Sequence, residues 1–199
     1  MMTGFVGPLP TAEYADREAS KRTHPVLPVL YHHFGCVCPT WEAICIVKGL
    51  VARNTASGGV LEMASGNGYW TFMLRRAGLK VTAIDNMESI WRYTWISDTV
   101  KADGVSWLKQ NGGACNEVLL MVYMVVKGAF TREVLNAYKG NTIVIAGTQN
   151  ANRYTSFSDM SVEEYFNRSM TDWRLSLRVP LPSFAGKDEA LFVYEKHQN

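Results

Sequence analysis

The stretch Val60-Leu61-Glu62-Met63-Ala64-Ser65-Gly66-Asn67-Gly68-Tyr69-Trp70 constrains this chain more than any other. A short apolar run passes into a turn of small residues and then, from Tyr69, into a segment with helical spacing. Small residues at such a turn let the backbone come within reach of a ligand. A strand, glycine turn and helix in this order are the opening unit of an open α/β sheet, whose ligands bind beyond the carboxyl ends of its strands.

The rest of the chain continues that unit. Val60 to Glu62 reads as a strand, Tyr69 to Ala77 as a helix stopped by Gly78, and Lys80 to Asp85 and Thr99 to Ala102 as strands. Val118 to Met124 is apolar throughout, which suits a central strand buried on both faces. A helix over Thr131 to Lys139, stopped by Gly140, and a strand over Thr142 to Ala146 follow. After Gly147 comes a polar loop, then a helix opened by the capping box Ser161-Val162-Glu163-Glu164, then strands Arg174 to Val179 and Ala190 to Glu195 that read as a hairpin. Ahead of the series, Trp41, Ile44, Cys45, Leu50 and Val51 have helical spacing, with Thr40 as N-cap. A chain of 199 residues is long enough for one well-buried core. The expected organisation is an N-terminal arm over 1–39 and one domain over 40–199. The arm holds five of the seven prolines (Pro8, Pro10, Pro25, Pro28 and Pro39) and is a candidate substrate lid.

Strand, glycine turn and helix fit either a dinucleotide or S-adenosylmethionine, and two residues favour the latter. A dinucleotide fingerprint counted from Gly66 requires Gly or Ala where this chain has Thr71. Glu62, at the strand end, would oppose a pyrophosphate but suits a ligand carrying an ammonium and a sulfonium. The pattern Glu62-x-Ala64-x-Gly66-x-Gly68 resembles the acidic-Gly-x-Gly-x-Gly loop of class I S-adenosylmethionine-dependent methyltransferases, with Ala64 in place of the first glycine. That resemblance implies a Rossmann-like α/β fold: a seven-stranded, mostly parallel sheet, helices on both faces, and an antiparallel C-terminal hairpin. It implies further that Ala64, Gly66 and Gly68 line the methionine end of the cofactor. Asp85 closes the second strand 23 residues after Glu62 and is the expected acceptor for the ribose hydroxyls. Val100-Lys101-Ala102-Asp103-Gly104 resembles the family's third motif, which implies Asp103 and Gly104 at the adenine, with Asn86 flanking it.

Catalysis is less legible, because an activated methyl donor needs chiefly alignment and desolvation. The segment after the fourth strand lacks the Asn/Asp-Pro-Pro-aromatic pattern of enzymes that methylate amino groups of bases or of glutamine. Tyr123 reads either as a core aromatic or as a hydroxyl aimed at the acceptor. Tyr31 and His33 in the arm read either as exposed loop residues or as groups near the substrate, where an imidazole can serve as a base. The expectation is a methyltransferase acting on a small or medium-sized molecule. Its rivals are an S-adenosylmethionine-binding enzyme that does not methylate and a non-catalytic binding subunit.

Charge and composition narrow the partners. Twenty basic residues against 18 acidic ones, with no basic cluster, give no support for nucleic acid. Cys36, Cys38, Cys45 and Cys115 lack the paired spacing of a zinc site, and no metal is expected. The longest apolar run, Val118 to Val126, is too short to cross a membrane. The first ten residues do not read as a secretory signal, so a cytoplasmic location is expected.

Overall fold

The structure, a computed structural model, describes residues 33–54, 58–89, 93–124, 129–149, 155–183 and 188–197. Tyr31 and the arm ahead of residue 33 lie outside the described residues. In chain order the elements are α1 (Trp41–Arg53), β1 (Gly59–Met63), α2 (Tyr69–Arg76), β2 (Val81–Asp85), β3 (Val100–Lys101), α3 (Gly104–Gln110), β4 (Glu117–Val122), α4 (Phe130–Ala137), β5 (Thr142–Thr148), α5 (Val162–Ser169), β6 (Trp173–Pro180) and β7 (Glu189–Lys196).

The strands form one seven-stranded sheet in the order β3-β2-β1-β4-β5-β7-β6. The first five are parallel, with Met63 opposite Ile84 on β2 and opposite Met121 on β4. β7 inserts antiparallel between β5 and β6, and a register shift between Leu175 and Leu177 bulges the edge strand. This is the expected sheet. From β1 the chain steps to β2 and β3 on one side and to β4 and β5 on the other. The order therefore reverses between β1 and β4, where open α/β sheets carry their ligand crevice.

Successive side chains of a strand point to opposite faces, so each buried strand feeds two cores. Leu61, Met63, Leu119, Met121, Ile143 and Ile145 pack on one face with Leu108 of α3, Val134 of α4 and Phe166 of α5. Val60, Val118, Leu120 and Val144 pack on the other with Ile44 and Val47 of α1 and with Trp70 and Leu74 of α2. α1 begins as its sequence predicts: Ala43 N donates to Thr40 Oγ1 at 3.0 Å. The capping box of α5 is also formed, with Ser161 N donating to Glu164 Oε2 at 2.7 Å and Glu164 N to Ser161 Oγ at 3.2 Å.

Three local expectations change. α3 is a helix where the sequence suggested only a strand end, and Asp103 caps it by accepting from Ser106 N at 2.8 Å. β4 stops at Val122 rather than Met124, because Tyr123 takes a left-handed φ of 49°. The body of the domain also begins before residue 40: Val37 is 1% exposed and belongs to the α1–α2 core. Among the described residues no helix is long and apolar enough to cross a membrane.

Candidate functional site

The turn after β1 is built by left-handed backbone. Ala64, Gly66 and Gly68 have φ of 54°, 56° and 75°, a region that costs a side-chain-bearing residue about 1–2 kcal/mol. Ala64 thus adopts the conformation that the missing glycine would adopt freely. Ser65 N donates to Ile84 O at 2.9 Å and Gly66 N to Asp85 Oδ2 at 2.9 Å, which lashes the turn to the end of β2. The second oxygen of Asp85 accepts from Met87 N at 2.7 Å.

Glu62 lies at the base of the turn and is 2% exposed. Burial disfavours its charged form and pushes its carboxyl up to about 7, although hydrogen bonds from Thr71 and the positive charge of Arg75 pull the other way. Thr71 Oγ1 donates to Glu62 Oε2. Thr71, the residue that breaks a dinucleotide fingerprint, therefore holds the acid in place.

The next two acids stand at neighbouring strand ends. Asp103 is exposed, and its hydrogen bonds from Ser106 hold its carboxyl below the usual range. A Cβ on Gly104 would collide with Met63 Sδ and lie 3.1 Å from Phe130 Cζ, so only glycine lets α3 start against the end of β1. Asn86 donates through Nδ2 to Glu88 Oε2 at 3.0 Å and accepts from Glu88 N at 3.1 Å.

These strand ends enclose one cleft of about 1000 Å³. Glu62, Ala64, Gly66, Asp85, Asn86, Asp103 and Gly104 all line it. Gly68 is not among the lining residues: a Cβ there would come within 2.5 Å of Ile96 Cγ1, so this glycine serves the packing of the β2–β3 connection over the turn. Tyr123 does line the cleft. Strand alternation would place it on the face of Met121, but the left-handed turn sets it with Val122 against the α1–α2 core. Such a conformation in a bulky residue costs on the order of 1–3 kcal/mol and clusters at functional sites. His33 begins the wall segment but does not line the cleft; its ring packs on Tyr93, centroids 4.6 Å apart, and the lining is supplied by the residues that follow, Phe34, Gly35, Cys36 and Val37.

Sequence reasoning passed over that wall and two residues inside the turn. Ser65 is 7% exposed, lines the cleft, and its hydroxyl has no hydrogen-bond partner among the described residues. A buried hydroxyl without a partner is costly, and one facing a cleft is satisfied when a polar ligand group arrives. Asn67 joins the turn to the wall: its Nδ2 donates to His33 O at 2.9 Å. Asn in a tight turn was the one available signal for it.

The fold superposes on a set of solved structures. Magnesium protoporphyrin IX methyltransferase from Synechocystis PCC 6803 with bound SAM superposes with a TM-score of 0.53 at 12% identity, over 78% of this chain and 79% of that one. The fold is that of the class I S-adenosylmethionine-dependent methyltransferases. An S-adenosylmethionine-dependent methyltransferase from Anabaena variabilis ATCC 29413 matches with a TM-score of 0.50 at 8% identity over 93% of both chains. A Pyrococcus horikoshii protein described as a candidate RNA methyltransferase has a TM-score of 0.50 at 11% identity, over 79% of this chain and 83% of that one. No family model and no curated protein matches the sequence. In this fold the cleft is lined both by acids at the ends of β1, β2 and β3 and by apolar side chains, among them Phe34, Val37, Val122 and Met124.

Proposed function

We propose that this chain is a cytoplasmic S-adenosylmethionine-dependent methyltransferase acting on a small or medium-sized molecule. The observation that carries the reading is a single cleft lined by two kinds of side chain: the acids Glu62, Asp85 and Asp103 with the Ser65 hydroxyl, which has no hydrogen-bond partner among the described residues, and the apolar or aromatic Phe34, Val37, Val122, Tyr123 and Met124. The acidic donor set fits a ligand that carries an ammonium and a sulfonium, and Ser65 Oγ fits one with a polar tail. A volume of about 1000 Å³ stands at the upper end of the ~300–1,000 Å³ usual for small-molecule sites, which leaves room for an acceptor beside a cofactor.

When bound, S-adenosylmethionine supplies a methyl group on an already activated leaving group. Glu62 would face the ammonium, Asp85 the ribose hydroxyls, and Asp103 with Gly104 the adenine. The apolar residues of the wall and of the β4 end exclude water from the acceptor and hold it in line. Tyr123, turned into the cleft by its backbone, is placed to orient the acceptor through its ring or hydroxyl. Four acids, Glu62, Asp85, Glu88 and Asp103, supply the charge among the described lining residues, which opposes a polyanion and favours a small molecule over RNA.

The test is transfer of label from methyl-labelled S-adenosylmethionine into a cell extract separated into small-molecule and RNA fractions. Label in the small-molecule fraction supports the reading. Label in RNA alone overturns the acceptor class, and binding without transfer to any fraction favours the non-methylating rival.

A further inference from the structure

We propose that Asn67 is a positioning residue: it fastens the acceptor-facing wall, residues 33–37, to the cofactor-binding turn, so that filling the turn holds the wall shut. The inference rests on the cofactor reading above and adds to it a residue role that lies between two segments rather than within a motif.

Asn67 is the central residue of the turn Gly66-Asn67-Gly68, and each of its polar groups has a separate task. Its Oδ1 accepts from Tyr69 N at 3.0 Å, a local bond that helps start α2. Its Nδ2 donates outward to His33 O at 2.9 Å, across 34 residues of chain. Its backbone carbonyl accepts from Trp95 N at 2.9 Å. Trp95 Nε1 donates to the same His33 carbonyl, so one oxygen of the wall is gripped from the connections that follow both β1 and β2. A second tie lies four residues along the wall, where Trp70 Nε1 donates to Val37 O at 2.7 Å.

Between these ties run Phe34, Gly35, Cys36 and Val37, all lining the cleft. Gly35 has a φ of 80°, and a Cβ built on it would lie 3.8 Å from Asn67 Nδ2, so the wall backbone passes directly over the Asn67 amide. Ring contacts reinforce the same joint: Phe34 packs edge-on to Tyr69 at 5.2 Å and lies 5.7 Å from Trp95. The wall is therefore attached to the turn that would cradle the donor. A ligand that orders the turn fixes the orientation of the Asn67 side chain and, through it, the His33 carbonyl. Ligand binding and wall closure then share one equilibrium, as linkage requires.

A merely local role for Asn67 makes a different prediction. If only the cap on Tyr69 mattered, Asn67→Asp would behave as wild type, since it keeps the Oδ1 acceptor. If the wall tie matters, Asn67→Asp fails, because it lacks the Nδ2 donor and sets a carboxylate against a carbonyl. The experiment is hydrogen–deuterium exchange of amides 33–38 in the full chain, with and without S-adenosylhomocysteine as the probe. In wild type the probe slows their exchange. In both Asn67→Ala and Asn67→Asp that protection falls roughly three- to tenfold, the loss expected for one hydrogen bond.

Equal protection in wild type and both variants overturns the proposal, as does a wild-type wall whose exchange ignores the bound probe. Loss in Asn67→Ala with full protection in Asn67→Asp assigns Asn67 to the local cap and overturns it too. If circular dichroism shows the Asn67 variants unfolded, Trp95→Phe reads the same clamp, since it removes the other donor to His33 O. Reduced protection there supports the proposal and unchanged protection overturns it. Failure of the wild type to bind the probe at all is a separate result, and it counts against the cofactor reading.

Discussion

Glu62 combines a carboxyl pushed up to about 7 by burial with a place at the base of the cofactor turn. The sign of its effect follows directly. Below its pKa the group is neutral and keeps only an uncharged acceptor for an ammonium; above it the charge is present. Affinity for S-adenosylmethionine is predicted to rise with pH through about 7, falling by up to roughly fivefold from pH 7 to pH 6 and levelling off once the group is neutral. Glu62→Gln should flatten that dependence. Titrations between pH 5.5 and 7 check this, a window below the ordinary range of the ligand's own amine. A slope that persists in Glu62→Gln assigns the titration to another group. In the apo protein the raised pKa acts on stability in the opposite direction: the contribution is fully present below the ordinary carboxylate pKa and is lost as pH rises through about 7.

Residue positions were legible where the chemistry of a side chain leaves few places for it. Glu62, Asp85 and Asp103 were found as acids ending strands, and each stands on the cleft. Ser65, Asn67 and the wall from Phe34 to Val37 were not found, because their roles depend on contacts across as many as 34 residues that no local spacing encodes. At Gly68 a Cβ would meet Ile96, a contact made by a connection with no periodic signature.

At the scale of elements, the turn after β1 holds its shape through its junction with β2. Asp85 accepts from Gly66 N and Met87 N, and the same carboxylate is the proposed ribose acceptor. Asp85→Ala is predicted to weaken the cofactor roughly ten- to 150-fold, the equivalent of about 1.5–3 kcal/mol for a charge-assisted hydrogen bond. The sheet, held by pairings elsewhere, should survive, and circular dichroism beside the titration separates the two effects. Unchanged affinity in a folded variant would remove Asp85 from the site. Most elements were readable from period and punctuation: Gly78 closes the region of α2, and Ser161 with Glu164 opens α5. α3 was missed because it spans only seven residues and because Asp103, its N-cap, had been read solely as a ligand contact. The end of β4 was missed because Tyr123 looks like a strand residue and only the left-handed backbone shows that it is not one.

For the whole molecule, Val37, just ahead of the boundary expected at residue 40, is part of the core, and residues 34–37 line the cleft. The ties described for that wall begin at His33. Deletion of residues 1–23 is therefore predicted to leave a folded domain with S-adenosylhomocysteine affinity within about threefold of the full chain, judged by circular dichroism and titration. A truncated chain that fails to fold would make the arm part of the core.

The central claim is that a class I fold with an acid-lined turn selects a nucleoside sulfonium over a pyrophosphate. Isothermal titration of the full chain with S-adenosylmethionine, S-adenosylhomocysteine and NAD tests it most directly. The account predicts saturable binding of at least one of the first two and none of NAD, because Glu62 would oppose a pyrophosphate and Thr71 stands where a dinucleotide fingerprint needs Gly or Ala. Preferential binding of NAD, or binding of neither S-adenosyl compound, would contradict it.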